Sequence, residues 1–269
     1  MFDLQKASIL KRISALILDV ILLCIVFAGA ATLISRITGF DEVSEKYTAY
    51  YSELCAEYGI DPELTTDELD AMPADEYEAY KKACDDASRA FAANDEQMRN
   101  YSLMTILSVA IVTFGLLISY LILEFAIPMV FKNGQTVGKK VFGIGVMHSN
   151  SVRINGIALF IRTILGKYTI ETMIPALIIV MALFSSTDIF RLLLIALIFV
   201  SNIVLFFATK AHTPIHDVLS KTVTVDLSSQ MIFPSYDEMV KAKNAAHADE
   251  VRRDTDYKIT DKGKRKNES

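Results

Sequence analysis

The sequence predicts an all-α membrane protein with four transmembrane helices, and its hydropathy and loop charges carry this prediction. Of the 269 residues, 52% are hydrophobic, and the mean hydropathy is +0.34. A bilayer requires about 20 predominantly apolar residues for each crossing helix. Four apolar runs approach or exceed this length, namely residues 11–35, 102–131, 168–185 and 189–209.

The first run also has features of a cleaved signal peptide. Lys6, Lys11 and Arg12 would form its basic region, and residues 28–30 would form the cleavage site. However, the apolar region of a signal peptide is only about 7 to 15 residues long. This run is longer and contains Asp19, so we expect a retained transmembrane helix.

The third and fourth runs are close to the minimum length and are separated by only a few residues, around 186–188. Such a short connection predicts a tight antiparallel helical hairpin. The alternative is a single long buried helix with a polar interruption.

The charges of the segments between the runs predict the orientation. Residues 132–167 contain six basic residues and no acidic residue, whereas residues 41–100 contain 17 acidic and five basic residues. The positive-inside rule therefore places the first segment in the cytoplasm and the second outside. With four spans, both termini are cytoplasmic, and we expect the protein in the cell (plasma) membrane.

The chain is predicted to divide into seven segments. In order they are the N-terminus with the first helix (1–36), an extracytoplasmic acidic helical hairpin (37–101), the second helix (102–131), a basic cytoplasmic loop (132–167), the third and fourth helices (168–209), a juxtamembrane segment (210–226) and a charged tail (227–269). The composition of the tail predicts disorder, with a candidate helix near residues 237–251.

Aromatic and small residues in the outer segment recur at helical spacing. They are Tyr47, Tyr50, Tyr51, Leu54 and Tyr58 in one run and Tyr77, Tyr80, Cys84, Ala87 and Phe91 in the other. This spacing predicts two helices that form a hairpin. Cys55 and Cys84 would then lie at similar heights, so we predict a candidate disulfide in an oxidising compartment, with two separate buried thiols as the alternative.

A glycine- and lysine-rich motif follows the second run. Its members are Gly134, Gln135, Thr136, Gly138, Lys139 and Lys140. Its glycine spacing differs from that of a phosphate-binding loop, and Lys140 occupies the place of the Ser or Thr. We expect a close-packed turn and a short amphipathic segment whose lysines contact anionic lipid headgroups. After it, residues 146–155 predict a small β-hairpin in the cytoplasmic loop.

Acidic residues lie inside the predicted spans, where an ionisable residue is a functional candidate by default. Asp19 and Glu124 each lie seven residues from the cytoplasmic end of a helix, about 10 Å deep at 1.5 Å per residue. Glu171 and Asn202 add polar groups in the same half of the bilayer. By sequence, acids outnumber bases at this depth. Such a site must take up protons, bind a mobile cation or pair with a nearby arginine, and the first two properties suit a proton-coupled carrier of sodium, lithium or potassium.

The alternative is that these charges are structural. Arg12, Arg162, Asp217 and His216 would join the carboxylates in a network that fixes the register of the helices. The protein would then be a non-transporting scaffold that recruits a partner through its outer hairpin or its tail.

Other functional classes lack support in the sequence. Nucleophile–base and His-rich constellations of an enzyme are not apparent, and the cysteines and histidines lack the spacing of a metal site. We therefore expect no enzymatic activity, no metal or other cofactor and no nucleic-acid partner. Four helices are few for an alternating-access carrier, so we expect a homo-oligomer or an unknown protein partner.

Taken together, these residues resemble the RDD family, which is named for one arginine and two aspartates. The matching positions are Arg12, Asp19, residues 134–136 and 138–140, Arg162, His216, Asp217, Thr222 and Val223. The resemblance covers the first span and residues 120–226 and leaves the outer hairpin as an insertion, while Gly145 and Lys221 depart from the family pattern. It implies a multi-pass membrane protein. Most members are uncharacterised, and a minority have been connected with cation/proton antiport.

Overall fold

The computed structural model describes residues 4–184 and 213–267, together with the separate positions 193, 196, 197, 200, 201, 203 and 204. The described chain is mostly helical, as predicted. It divides into two compact units, which we call the inserted unit (Phe27–Leu116) and the core unit (Met1–Val26 with Leu117–Ser269).

Two of the described helices are long and apolar enough to cross a membrane. Helix α1 spans Ile9–Thr38, and the second helix begins with α5 (Asp95–Tyr120). The second helix continues through a π-helical segment, π1 (Leu121–Ala126), into α6 (Ile127–Phe131). A helix of 30 residues, the length of α1, measures about 45 Å and exceeds the hydrocarbon core of about 30 Å. These helices correspond to the first two predicted runs.

The third helix begins earlier than predicted. It consists of α8 (Gly156–Phe160), a second π-helical segment, π2 (Ile161–Met173), and α9 (Ile174–Phe184). Asn155 caps it, since its side-chain oxygen accepts the N–H of Ala158 at 2.8 Å. Residues 156–167, which the sequence predicts to be a loop, are therefore helical. The basic residues that suggested a loop here, Arg162 and Lys167, are buried and paired with acidic side chains. Most of the fourth predicted run lies outside the described residues, although its described positions are helical.

A two-stranded antiparallel sheet joins distant parts of the core unit. Strand β1 (Ile144–His148) pairs with β2 (Thr222–Asp226), with Ile144 opposite Asp226. A tight turn follows β1, where Ser151 donates its N–H to the carbonyl of His148. The predicted hairpin within 146–155 amounts to one bridge, Met147 to Arg153. The main partner of β1 is instead β2. The first four residues of each strand are buried. Local sequence does not reveal this pairing.

Small apolar clusters around this sheet form the core. They consist of Val146, Ile154, Ala158 and Leu159; of Ala7, Ala15 and Ile144; and of Met147, Val223 and Val225. The second cluster packs the start of α1 against β1 and thereby fixes where the first helix meets the sheet.

Two further short helices complete the core of this unit. The helix α7 (Val137–Val141) lies between α6 and β1, and the helix α10 (Ile215–Ser220) precedes β2. The tail, predicted as disordered apart from 237–251, forms one helix from Tyr236 onward, α11 (Tyr236–Asn267). It begins where Ser235 accepts the N–H of Glu238, with two acids in its first turn; both features stabilise a helix start.

The inserted unit contains α2 (Phe40–Tyr58), α3 (Thr66–Asp70) and α4 (Ala74–Ala93). The helices α2 and α4 pack against each other through Tyr47, Tyr50 and Phe91, whose ring centroids lie about 6 Å apart, within the range of aromatic pairs. Cys55 is buried and Cys84 half-buried, and both are free thiols, so the predicted disulfide is not formed. Each thiol instead interacts with the tyrosine four residues earlier on its own helix.

Candidate functional site

Nine acidic or basic side chains of the core unit, histidine included, line one cavity of about 550 Å³. They come from α1, π1, α7, π2 and α10. These residues are Arg12, Asp19, Glu124, Lys139, Arg162, Lys167, Glu171, His216 and Asp217. The structure thus brings together the predicted ion-site and charge-network residues, except Asn202, which lies outside the described residues.

Asp19 connects the first helix to the glycine- and lysine-rich motif. One carboxylate oxygen, Oδ1, accepts the N–H of Gly138 at 2.8 Å, and the other, Oδ2, accepts the hydroxyl of Thr136. The ammonium of Lys139 lies 3.8 Å from Oδ2. Asp19 therefore binds the N-terminal end of α7, where backbone N–H groups and the helix dipole favour a negative charge.

The motif residues have structural roles. A Cβ atom at Gly138 would lie 2.3 Å from the carbonyl oxygen of Ala15, so only glycine permits the contact between α7 and α1. Gly134 has φ +59° and sits against Val146 and Ile154, and the side chain of Gln135 donates to the carbonyl of Ile144. The motif is a tightly packed junction, as predicted.

The two lysines of the motif have different surroundings. Lys140 lies with its ammonium 3.7 Å from the ring centroid of Phe131. Lys139 is buried, and burial together with the like charge of Lys167 lowers its pKa to about 8. Lys139 thus belongs to the cavity. The contact with lipid headgroups, predicted for both lysines, stays a prediction for Lys140.

Glu124 is paired with Lys167, and both belong to π-helical segments. The ammonium of Lys167 lies 2.7 Å from Oε2 of Glu124, and both side chains are almost fully buried. Nearby, Thr163 donates to the backbone carbonyl of Glu124 at 2.9 Å, which ties π2 to π1. Segments of π-helix are rare and often mark functional sites.

The π-helical winding of π2 also orders the charges on one face. Its hydrogen bonds run over five residues, and Thr169 donates its hydroxyl to the carbonyl of Ile164, five residues earlier. Arg162, Lys167 and Glu171 are separated by five and four residues, and all three face the cavity. In an α-helix residues three and four apart share a face, so an α-helical reading of the sequence groups Lys167 with Glu171 but places Arg162 on another face.

Arg162 and Asp217 form the most deeply buried pair. Nε of Arg162 donates to Oδ1 of Asp217 at 2.7 Å, and each side chain is 2% exposed. The hydroxyl of Thr222 donates to the same oxygen at 2.8 Å. Burial alone would raise the pKa of Asp217, but Arg162 and the hydrogen bonds hold it well below its usual value.

Glu171 contacts a titratable partner instead of a fixed cation. The ring nitrogen Nδ1 of His216 lies 3.0 and 2.8 Å from the two carboxylate oxygens, and the backbone N–H of His216 donates to Oε1 at 3.1 Å. Gly166 allows this approach, since a Cβ atom there would lie 2.5 Å from Cβ of His216. Burial lowers the pKa of His216 below its ordinary value.

Arg12 and its neighbour anchor α1 to the sheet. Nη2 of Arg12 donates to the carbonyl of Thr224 at 2.6 Å, and Arg12 also interacts electrostatically with Asp217. Lys11 pairs with Asp226 at 2.6 Å, which with the bonds from Ser228 lowers the pKa of Asp226 to about 2. The first helix is thus bound to β2 at the middle and at the last residue of the strand.

The charges of the cavity are balanced, which corrects the expectation that acids outnumber bases. Four side chains are lysines or arginines, four are carboxylates and one is a histidine. The expectation was wrong because Lys139 and Lys167, assigned to a loop, fold back to the level of Asp19 and Glu124. Lys167 is the site residue that sequence reasoning missed, and its only signal was a basic residue at the edge of an apolar run.

Among the described residues, no group of three histidine, cysteine or carboxylate side chains is arranged to hold a metal ion. The described lining of the cavity presents ion pairs and one imidazole–carboxylate pair.

Comparison with known proteins agrees with this arrangement of residues. A family model described as "RDD family" matches residues 6–221. Searches of curated proteins and of solved structures gave no match. The matched range contains all nine acidic or basic residues of the cavity. Because it also spans most of the 269 residues, the chain belongs to the RDD family of membrane proteins.

Proposed function

We propose that the chain crosses the cell membrane four times, with both termini and the β1–β2 sheet in the cytoplasm and the inserted unit outside. Two long apolar helices, a third continuous helix and the opposite charges of the connecting segments support this topology. In a cysteine-free background, Asp75→Cys should react with a membrane-impermeant maleimide in intact cells, and Asn150→Cys only after permeabilisation. The reverse pattern would contradict the proposed orientation.

We further propose that the protein is a proton-coupled carrier of a monovalent cation. The observation that supports it is the cavity of about 550 Å³, which α1 and π1 line with ionisable groups. Ionisable residues are expensive within a membrane, and they mark ion pathways and proton relays. A purely structural network would gain more from tight packing than from a cavity, because empty space beside charged groups costs stability.

The experiment that tests this function is proton flux in proteoliposomes. Purified protein of verified fold and orientation receives sodium, potassium or lithium on one side, and internal pH is followed with a dye. We expect a proton flux that depends on one of these cations and is absent from protein-free liposomes. No flux with any of the three cations would overturn the carrier function.

One observation favours a second candidate, the non-transporting scaffold. Asp19, Glu124 and Asp217 are each paired with a fixed cation, as in networks that specify packing. In this case the inserted unit would recruit the partner. Replacing residues 41–100 by a short linker should then abolish the physiological role, while a carrier would keep its cation-dependent flux.

A further inference from the structure

We infer that Glu171 and His216 are the pair that exchanges protons with the cavity, whereas Asp19, Glu124 and Asp217 are structural anchors held by lysine or arginine. This inference rests on the proposed carrier function for its role in transport, but the proton exchange itself is a property of the pair.

The first argument is the nature of the partners. Fixed cations lie 3.8 Å from Asp19, 2.7 Å from Glu124 and 2.7 Å from Asp217. A carboxylate beside a lysine or arginine keeps its charge, because the opposite charge favours the ionised form. Among the described residues, the ion-pair partner found for Glu171 is His216, and a histidine side chain ordinarily changes charge near neutral pH.

The second argument is access. The side chain of Glu171 is 19% exposed and that of His216 is 12% exposed, whereas Arg162 and Asp217 are each 2% exposed. Both members of the pair line the cavity. A proton from the cavity therefore reaches this pair without the opening of a buried salt bridge.

The third argument is the geometry of the imidazole. With its proton on Nδ1, neutral His216 donates to Glu171, and Nε2 keeps a lone pair. Nε2 lies 3.9 Å from Oδ1 of Asp217. When Nε2 takes up a proton, the imidazolium is held between two carboxylates. No other bond forms or breaks, and release of that proton restores the neutral ring.

The groups around the pair bias this exchange in opposite directions. Asp217 and Glu171 favour protonation of His216, while burial and the charge of Arg162 oppose it. On the side of Glu171, Lys167 favours the carboxylate. Because burial prevails, the pKa of His216 lies below its ordinary value, so the neutral ring is the resting form at neutral pH.

The pair is tested directly by NMR titration of protein with isotope-labelled histidine in lipid nanodiscs. The chain has four histidines, and His216→Gln assigns the signal. We expect His216 to titrate between about pH 8 and pH 4, with its midpoint lowered by roughly one pH unit or more in Glu171→Gln, since a contacting carboxylate has gone. The control is Glu42→Gln in the exposed Glu42–Lys46 pair, which should leave the midpoint unchanged.

Two results would overturn the inference. One is a His216 signal that does not titrate in this range, and the other is an equal midpoint in wild type and Glu171→Gln. In proteoliposomes, Glu171→Gln and His216→Gln should lose cation-dependent proton flux, and retention of full flux would also contradict the inference. Wild type without flux would overturn the carrier function alone, and the titration would still decide the role of the pair.

Discussion

The carboxylate of Asp19 caps the helix α7 at Gly138, with Oδ1 accepting the backbone N–H at 2.8 Å. The same carboxylate accepts the hydroxyl of Thr136, the N-cap residue of α7, and faces Lys139. The aspartate of the first span therefore joins that span to the cytoplasmic motif.

Removal of this carboxylate should destabilise the protein. In Asp19→Ala, Lys139 stays buried without its ion-pair partner and α7 loses its capping contact, so the free energy of unfolding should fall by about 3–5 kcal/mol. Thermal unfolding in detergent, followed by circular dichroism, measures the change. Glu42→Ala, in an exposed pair, should leave the melting temperature nearly unchanged, because exposed ion pairs contribute little to stability. Equal losses in the two variants would contradict the anchoring role of Asp19.

A single methyl group at Gly138 should disturb the same junction. Gly138→Ala places Cβ 2.3 Å from the carbonyl oxygen of Ala15, and overpacking of this kind costs about 1–3 kcal/mol or more. The matched control is Gly29→Ala, because a Cβ atom at that helical position meets nothing within 4 Å. Since alanine is the better helix former, the control should be neutral or stabilising. An unchanged melting temperature for Gly138→Ala would show that α7 and α1 do not pack this closely.

The Arg162–Asp217 pair should behave as a coupled unit. Arg162→Met and Asp217→Leu each remove the direct ion-pair partner of a buried charge and should each cost about 3–5 kcal/mol, whereas the double variant removes both charges of the pair. We therefore expect the double variant to be more stable than either single variant. A double-mutant cycle by thermal unfolding measures the coupling. Additive losses would indicate that the two side chains are not in contact.

Stability should depend on pH through His216. Its folded pKa lies below the ordinary 6.5, so the unfolded chain binds this proton more readily than the folded chain does. The contribution is fully present above about pH 6.5 and is lost as the pH falls below that value. The melting temperature should decrease between pH 7.5 and pH 5.5, and less so in His216→Gln. An identical decrease in both proteins would assign the dependence to other groups.

The sequence predicted the helical class, the first two spans and the residues that meet at the cavity apart from Lys139 and Lys167. Apolar runs, and the charged residues within them, can be recognised from neighbouring residues alone. The hydrophobic effect favours the removal of such runs from water whichever distant segments they contact. The motif was likewise interpreted as a close-packed turn because glycines admit close backbone contacts. Gly138 against Ala15 is such a contact.

Partners of the acids were not predictable in the same way. Lys139 and Lys167 appear in the sequence as loop residues, yet they are buried beside Asp19 and Glu124. The long-range pairing of β1 with β2 and the π-helical winding of π2 determine these positions, and neither has a periodic signal in the sequence. The balance of charge in the cavity could therefore be seen only in the structure.

The division of roles among the acids is tested most directly by comparing Asp19→Asn with Glu171→Gln in one preparation. Melting temperature and cation-dependent proton flux, normalised to folded protein, are measured for both variants and for wild type. We predict that Asp19→Asn lowers the melting temperature and keeps its flux per folded molecule, while Glu171→Gln keeps the melting temperature and loses the flux. Loss of flux in a fully stable Asp19→Asn, with normal flux in Glu171→Gln, would contradict this account.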